Sequence, residues 1–454
     1  MARPRRAPVR IDLTRPLELL HTHITASLCQ TVFATVRTTE RQRRWTLELL
    51  VQFWLAVVLR APRALSQALA ETLPAGTDPL FPQVAASPEA FFERCRDLRP
   101  AFFREVFTQF TARLLAGAPA RYRADLAALQ PRFAALCVVD GSSLPAIAHR
   151  LKLLWAERAV VLPGCLLALY DLGRGLCRVL AFDPDAAAAE LPRAAAALQA
   201  LPRESLCVAD RLFCTATWFR ALAAVGCWGV ARRHRSLGLT RLRRLRQTRL
   251  HGGRLEEWLV AAGARHPVTL RYIRWHCGRT VHELVTSVVD GARLSAAEAL
   301  ALYPARWTIE RMYFDLKEVL NLHRIYAANP NAVAMQVYAA GCVYNALRVA
   351  QAEVAAAAHV APEAISPAKF FPKVAAACHA YALVEHAFAE TQAVNPGRRL
   401  RRPELKGQRF ATVPLAAILV ERRKGPRRKR RFCAARRRWK SLTHVRGGRQ
   451  WLKN

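Results

Sequence analysis

Three carboxylates of the chain have the type and setting that phosphoryl-transfer chemistry uses. Asp140 and Asp210 each close a short apolar run, in LCVVDG and LCVADR, and Glu310 lies far downstream within YPARWTIERMYFDLK, residues 303–317. Two divalent cations about 4 Å apart need several carboxylates converging from a rigid frame, with room left for water and phosphate oxygens. The end of a strand provides such a frame, because the backbone is fixed and the side chain sits at the sheet rim. Each residue also has a plainer reading when taken alone. Asp140 before Gly141 suits a turn, Asp210 before Arg211 suits a local ion pair, and Glu310 beside Arg311 suits a solvated helix face.

The stretch around Glu310 carries more than one charge. Tyr303, Arg306, Glu310 and Lys317 follow one another at offsets of 3, 4 and 7. At about 100° per residue they share a helical stripe roughly 60° wide. Ala305, Ile309, Met312, Leu316 and Val319 form a separate apolar stripe that is sufficient to dock the helix. Trp307 and Phe314 read by spacing as further core residues. Pro304 opens the segment and biases Tyr303 away from helical geometry, which places the phenol at the helix entry.

The elements needed to bring these residues together can be read in order. Residues 12–130 carry helical periodicity, as in LLVQFWLAVVLRAPRALSQAL and AFFREVFTQFTARLLAG. From residue 131 the texture changes to three strand-like runs, ALCVVDGSS, RAVVLPGCLLALYDL and GLCRVLAFD, with a turn at 173–175. An alanine-rich helix (185–201), the strand SLCVAD, a helix over 214–226 and the strand CWGVARR follow. Three strands, helix, strand, helix, strand is the order of a ribonuclease-H-like α/β core. If the first and fourth strands are neighbours, Asp140 and Asp210 lie side by side.

Residues 235–290 interrupt this order with a strand-rich insertion. It is built on a Gly-Gly hairpin in RLRRLRQTRLHGGRLEEWLV and has a strongly basic edge. Ser295 and Glu298 are spaced as a capping box, and NAVAMQVYAAGCVYNALRVAQAEVA reads as a long helix. The expected organisation is a basic helical DNA-binding region over 1–130, a first core part over 131–234, the insertion over 235–290, a second core part over 291–360 with the glutamate helix, and a C-terminal region with a polybasic tail over 361–454.

Composition narrows the partner. The 454 residues carry 70 Lys+Arg against 33 Asp+Glu, a net charge of +37. A surplus of that size points to a polyanion, and nucleic acid comes first. Between Arg398 and Asn454 stand 21 Lys/Arg with only Glu404 and Glu421 opposing them, a segment expected to be disordered when free. No apolar run is long enough to span a bilayer, and no basic amphipathic helix with a large apolar face suggests a membrane surface. The basic N-terminal arm lacks the pattern of a secretory signal, so the cytoplasm, in association with the nucleoid, is the expected location. Twelve scattered cysteines without a CxxC pair read as buried reduced thiols rather than a zinc site.

YPARWTIERMYFDLK resembles the Y-x2-R-x3-E-x6-K signature of DDE transposases of the insertion-sequence-four family. Tyr303, Arg306, Glu310 and Lys317 occupy its four positions, and Trp307 and Ile309 fit the frequent variant R-W-x-I-E. DGSS after Asp140 and ADRLF around Asp210 are similar to that family's two aspartate motifs. The resemblance covers roughly residues 135–350. It implies that Asp140, Asp210 and Glu310 bind two Mg²⁺ ions, with Mn²⁺ as a substitute. It further implies that Tyr303, Arg306, Lys317, Arg211 and Trp307 contact DNA, and that Trp258 or Trp275 could hold a flipped base. Terminal inverted repeats and target DNA are then the partners, and a homodimer is expected on DNA. Two other classes stay open: a catalytically silent or domesticated DNA-binding protein, and a ribonuclease-H-like nuclease. The first has no need of a carboxylate cluster that repels phosphate, and the second no need of the Tyr-Arg-Lys stripe.

Overall fold

Short β-branched and leucine-rich runs, buried on both faces, build the centre of the protein. The computed structural model describes residues 9–36, 43–144, 164–185, 188–264, 266–327, 329–394 and 410–421. Residues up to Leu419 form one compact unit, and Val420–Asn454 a second, of which only Val420 and Glu421 are described. The basic arm at residues 1–8 and most of the polybasic tail therefore lie outside the described residues.

The core strands are β2 (Leu136–Ser143), β3 (Cys165–Asp171), β4 (Leu176–Asp183), β5 (Leu206–Ala209) and β6 (Trp228–Arg232). Helix α7 (Glu190–Ala197) links β4 to β5, and α8 (Ala216–Ala224) links β5 to β6. β2 pairs antiparallel with β3 and parallel with β5, and β5 is parallel to β6. The expected neighbourhood of the first and fourth strands is thus present, with Val139 opposite Ala209.

The strands of residues 239–286 do not form a separate sheet. β7 (Leu239–Leu250), β8 (Gly253–Ala262), β9 (Val268–Cys277) and β10 (Thr280–Thr286) make an antiparallel series, and β10 pairs with β6. One nine-stranded sheet results, in the order β4-β3-β2-β5-β6-β10-β9-β8-β7.

Each sheet face is covered by a hydrophobic layer. Leu136, Val138, Leu206 and Val208 face a cluster that contains the N-terminal helices and α11 (Pro330–Ala357). Cys137, Val139, Cys207 and Ala209 face α7 and α8. α11 is buried along nearly its whole circumference, as its apolar composition requires. It lies against α1 (Arg15–His23), α3 (Leu47–Arg60) and α6 (Pro100–Gly117) of the helical N-terminal region. Asn345 of α11 binds the outer edge of β4: its Oδ1 accepts from Cys177 N at 2.9 Å, and its Nδ2 donates to Cys177 O at 2.9 Å and Thr111 Oγ1 at 3.0 Å.

Two features differ from expectation. β1 (Val9–Asp12) pairs with β11 (Phe410–Val413), so part of the stretch expected to be disordered is a strand. Its partner lies about four hundred residues away, which no local pattern signals. Helix α9 (Ala296–Leu302), opened by the Ser295–Glu298 capping box, passes at Tyr303 into a 3₁₀ turn with the backbone still helical. Tyr303 has φ −55° and ψ −39°, and its N–H donates to Ala299 O, so the bias imposed by Pro304 is overridden.

The described cysteines form no disulfide, and all but Cys277 are buried. Among the described residues no helix is long and apolar enough to cross a membrane. Asn345→Ala is expected to leave the Cys177 peptide groups unsatisfied and to lower the unfolding free energy by about 3 kcal/mol, measured by urea denaturation. A loss below about 1 kcal/mol would show that water replaces the side chain.

Candidate functional site

Period-2 alternation decides where the two aspartates point. Asp140 shares the parity of Leu136 and Val138 on β2, and Asp210 continues that of Leu206 and Val208 on β5. Both therefore lie toward the layer that holds α10 (Trp307–Phe314), the helix that carries Glu310. The expected apolar stripe docks this segment: Ala305, Ile309, Met312, Leu316 and Val319 are all buried.

The segment is not one regular helix. Tyr303–Arg306 is a 3₁₀ turn that abuts β5, and Asp315–Val319 is a π-turn following α10. Such local over-winding and under-winding re-aims side chains and often occurs at functional sites. Here it places Arg306 and Lys317 on the same strand end. Arg306 donates from Nη1 to Asp140 Oδ2 at 3.0 Å and from Nη2 to Glu310 Oε1 at 3.2 Å. Lys317 Nζ donates to Ser142 Oγ at 2.7 Å and to Ser143 O at 2.5 Å. Tyr313, buried on α10, donates its hydroxyl to the Asp140 carbonyl at 2.8 Å.

The electrostatics of this cluster are unbalanced. Burial pushes the Asp140 carboxyl up to about 7; Arg306 and the Gly141 N–H oppose that, and Asp210 and Glu190 add repulsion. Glu190, the first residue of α7, is also raised by burial and by Asp210, with Arg193 opposing. It approaches the strand so closely that a Cβ on Gly141 would collide with its carboxylate. Burial lowers the Lys317 ammonium to about 8. Tyr303 is half-buried, with its hydroxyl raised by burial and sensing Arg306 and Asp210. Asp210 Oδ1 accepts from Leu212 N at 2.6 Å, which fixes the turn after β5. Arg211 is exposed and forms no ion pair with Asp210 among the described residues.

The aromatic residues correct two expectations. Trp307 and Phe314, read as core, are 58% and 47% exposed. Arg306 lies over the Trp307 ring at 4.8 Å, and Arg311 over Phe314 at 5.1 Å. Trp258 lies under the guanidinium groups of Arg241 and Arg244, at 4.6 and 4.7 Å. Trp275 stacks on His282 and donates its indole N–H to Leu250 O at 3.0 Å. Neither environment was found by spacing, and nor were Glu190 and Tyr313. Glu190 is hidden in an alanine-rich run whose only visible signal is helical, and Tyr313 falls on the apolar side of its helix.

Carboxylate oxygens are hard donors suited to Mg²⁺ or Mn²⁺, and a half-buried Asp140 with a raised affinity for protons lacks positive charge. By donor chemistry the residues fit divalent cations. Among the described residues, however, no group of three or more His, Cys, Asp or Glu side chains is drawn together tightly enough to hold an ion. The Arg306 guanidinium takes both Asp140 and Glu310 in this arrangement.

Residues 162–346 match the family model for the transposase DDE domain. That range includes Asp210, Glu310 and the whole of 303–317, and it begins after Asp140. The core is accordingly ribonuclease-H-like. The chain is also similar to "Putative transposase y4zB" of Sinorhizobium fredii, with 28% identity over 148 residues. That alignment covers 31% of this chain and 41% of the relative.

A carboxyl whose value rises on folding from 3.8 to about 7 costs stability progressively as pH climbs between those values, and by a constant amount above them. With a chelator present, Asp140→Asn is expected to be more stable than the parent protein at pH 8, by roughly 1–4 kcal/mol. The difference is expected to shrink to nothing near pH 4. Denaturation curves at several pH values check this, and a pH-independent difference would contradict it.

Proposed function

We propose that the protein is a DDE transposase of the insertion-sequence-four type, which cleaves DNA at the ends of its element and joins them to target DNA. The observation that carries this reading is that Asp140, near the end of β2, and Asp210, directly after β5, lie at neighbouring ends of adjacent parallel strands, with Glu310 joined to Asp140 through Arg306. The match to the transposase DDE domain supports the same class.

Asp140, Asp210 and Glu310 are the groups that would hold the cations. Two Mg²⁺ ions, or Mn²⁺, would supply activation of a water or 3′-hydroxyl nucleophile and stabilisation of the departing oxygen. The side chains around them serve the DNA. Arg306 presents a guanidinium suited to bidentate phosphate contact, and Lys317 presents a compact ammonium beside the strand end. Tyr303 offers a hydroxyl on the Asp210 side, Arg211 an exposed cation next to it, and Trp307 an exposed ring on which a base can stack. Arg306 offsets the charge of Asp140 and Glu310 and lessens their mutual repulsion. The whole reaction requires two DNA ends, so a homodimer is the working assembly, with terminal inverted repeats and target DNA as partners in the cytoplasm at the nucleoid.

The test uses purified full-length protein and DNA carrying the element's ends, with Mg²⁺. Asp140→Asn is expected to reduce strand cleavage by at least about a thousandfold, in line with loss of a group acting in the transition state, while DNA binding persists. Cleavage that survives this substitution would remove Asp140 from the mechanism.

A further inference from the structure

The two edges of the nine-stranded sheet are finished differently. At the β4 edge, Asn345 of α11 occupies the outward peptide groups of Cys177. At the other edge, β7 carries LTRLRRLRQTRL, in which Arg241, Arg243, Arg244, Arg246 and Arg249 are all exposed and no acid is present. None of the five forms an ion pair among the described residues. The acids of the neighbouring strand are already engaged, Glu256 by Arg254 and Glu257 by the buried Arg271.

Two register shifts in β7 distribute these cations. They fall between Arg241 and Arg243 and between Arg244 and Arg246. As a result Arg241 lies opposite Val260 and Arg244 opposite Trp258, so both guanidinium groups reach the Trp258 ring. Arg243 lies opposite Leu259 and Arg246 opposite Glu257, on the other face. Arg249 lies directly opposite Arg254, a like-charge pair that is unfavourable in the free chain. Guanidinium groups thus emerge on both faces of a strand about 40 Å long. Protecting an edge from pairing with another chain needs only one or two charges of either sign. A continuous run of one sign, with every nearby acid already used, calls for a polyanion.

We infer that the β7 edge is a second DNA-contact surface, one that follows the phosphate backbone of a duplex. It stands five strand spacings from β5, roughly 24 Å across the sheet, and so grips the duplex roughly 7 base pairs from the carboxylates if the DNA crosses the strands. The inference rests on the proposed function only in taking the polyanion to be DNA. Arginine suits the role because its planar fork meets phosphate oxygens bidentately and its contacts carry no sequence requirement.

The test is fluorescence anisotropy of the full-length protein with a 30-base-pair duplex of arbitrary sequence, titrated with NaCl in the absence of divalent metal. Arg243→Gln combined with Arg246→Gln is expected to weaken binding about tenfold and to lower the slope of log K against log [salt] by about 2, near 0.9 for each phosphate no longer neutralised. The charge-reversal pair, Arg243→Glu with Arg246→Glu, keeps the edge charged against self-pairing while removing two of its five cations. Its binding is expected to fall further, with the protein still monodisperse by light scattering. A monodisperse charge-reversal variant with parental affinity and slope would overturn the inference and reduce the arginines to edge protection. Strand cleavage assayed in parallel separates the two readings. A lowered slope with no cleavage by any form keeps the surface and removes the transposase activity; cleavage with an unchanged slope does the reverse.

Discussion

The buried Arg306 guanidinium is the point on which the site turns. It ties the end of a sheet strand to a helix more than 160 residues later by binding Asp140 and Glu310 at once. In that setting water screens little, so the attraction is strong, but each charge has also lost its hydration. Removing Arg306 would cost about 3–5 kcal/mol, because Asp140 would be left buried and uncompensated, whereas Asp140→Asn leaves Arg306 its second partner, Glu310. Asp140 shows that even with Arg306 the balance is incomplete, since burial still favours its protonated form. Tyr313 and Lys317 share the work of docking, one on the Asp140 carbonyl and the other on Ser142 and Ser143. Three side chains of one irregular helix therefore grip one strand end, and the carboxylates are positioned as a consequence.

The surrounding layers make that grip possible. Parallel pairing of β2 with β5 puts two strand ends at the same rim, and the crossover through α7 brings a further carboxylate, Glu190, to the opposite side of Gly141. A sheet with hydrophobic clusters on both faces holds these ends rigidly. The same sheet extends through β10 to β7, so the arginine edge and the carboxylate rim belong to one continuous frame. DNA held at both places would be positioned by a single body.

Much of this was legible in the residues. Within the described residues, the short apolar runs, the Gly-Gly hairpin and the Ser295–Glu298 capping box carry local signals that survive folding and form the elements they signal, while residues 158–163 of the second run lie outside the described residues. The apolar stripe from Ala305 to Val319 was likewise readable, because its spacing tolerates a change of helix type. What local pattern could not carry were tertiary outcomes. The exposure of Trp307 and Phe314 depends on which face of α10 is left uncovered once its apolar stripe has docked. The path of the helix through Tyr303 depends on packing against β5, which outweighs the preference set by Pro304. Glu190 and Tyr313 enter the site only through the crossover and the docking angle. The pairing of β1 with β11 joins the two ends of the described chain, and neither strand shows it alone.

The central proposal is that Asp140, Asp210 and Glu310 hold divalent metal for DNA chemistry. Mn²⁺ binding to the full-length protein, followed by electron paramagnetic resonance, addresses this most directly. The expected result is bound Mn²⁺ in the parent protein that is displaced by excess Mg²⁺ and is lost in both Asp210→Asn and Glu310→Gln. Mn²⁺ binding of equal stoichiometry and affinity in all three proteins would contradict it.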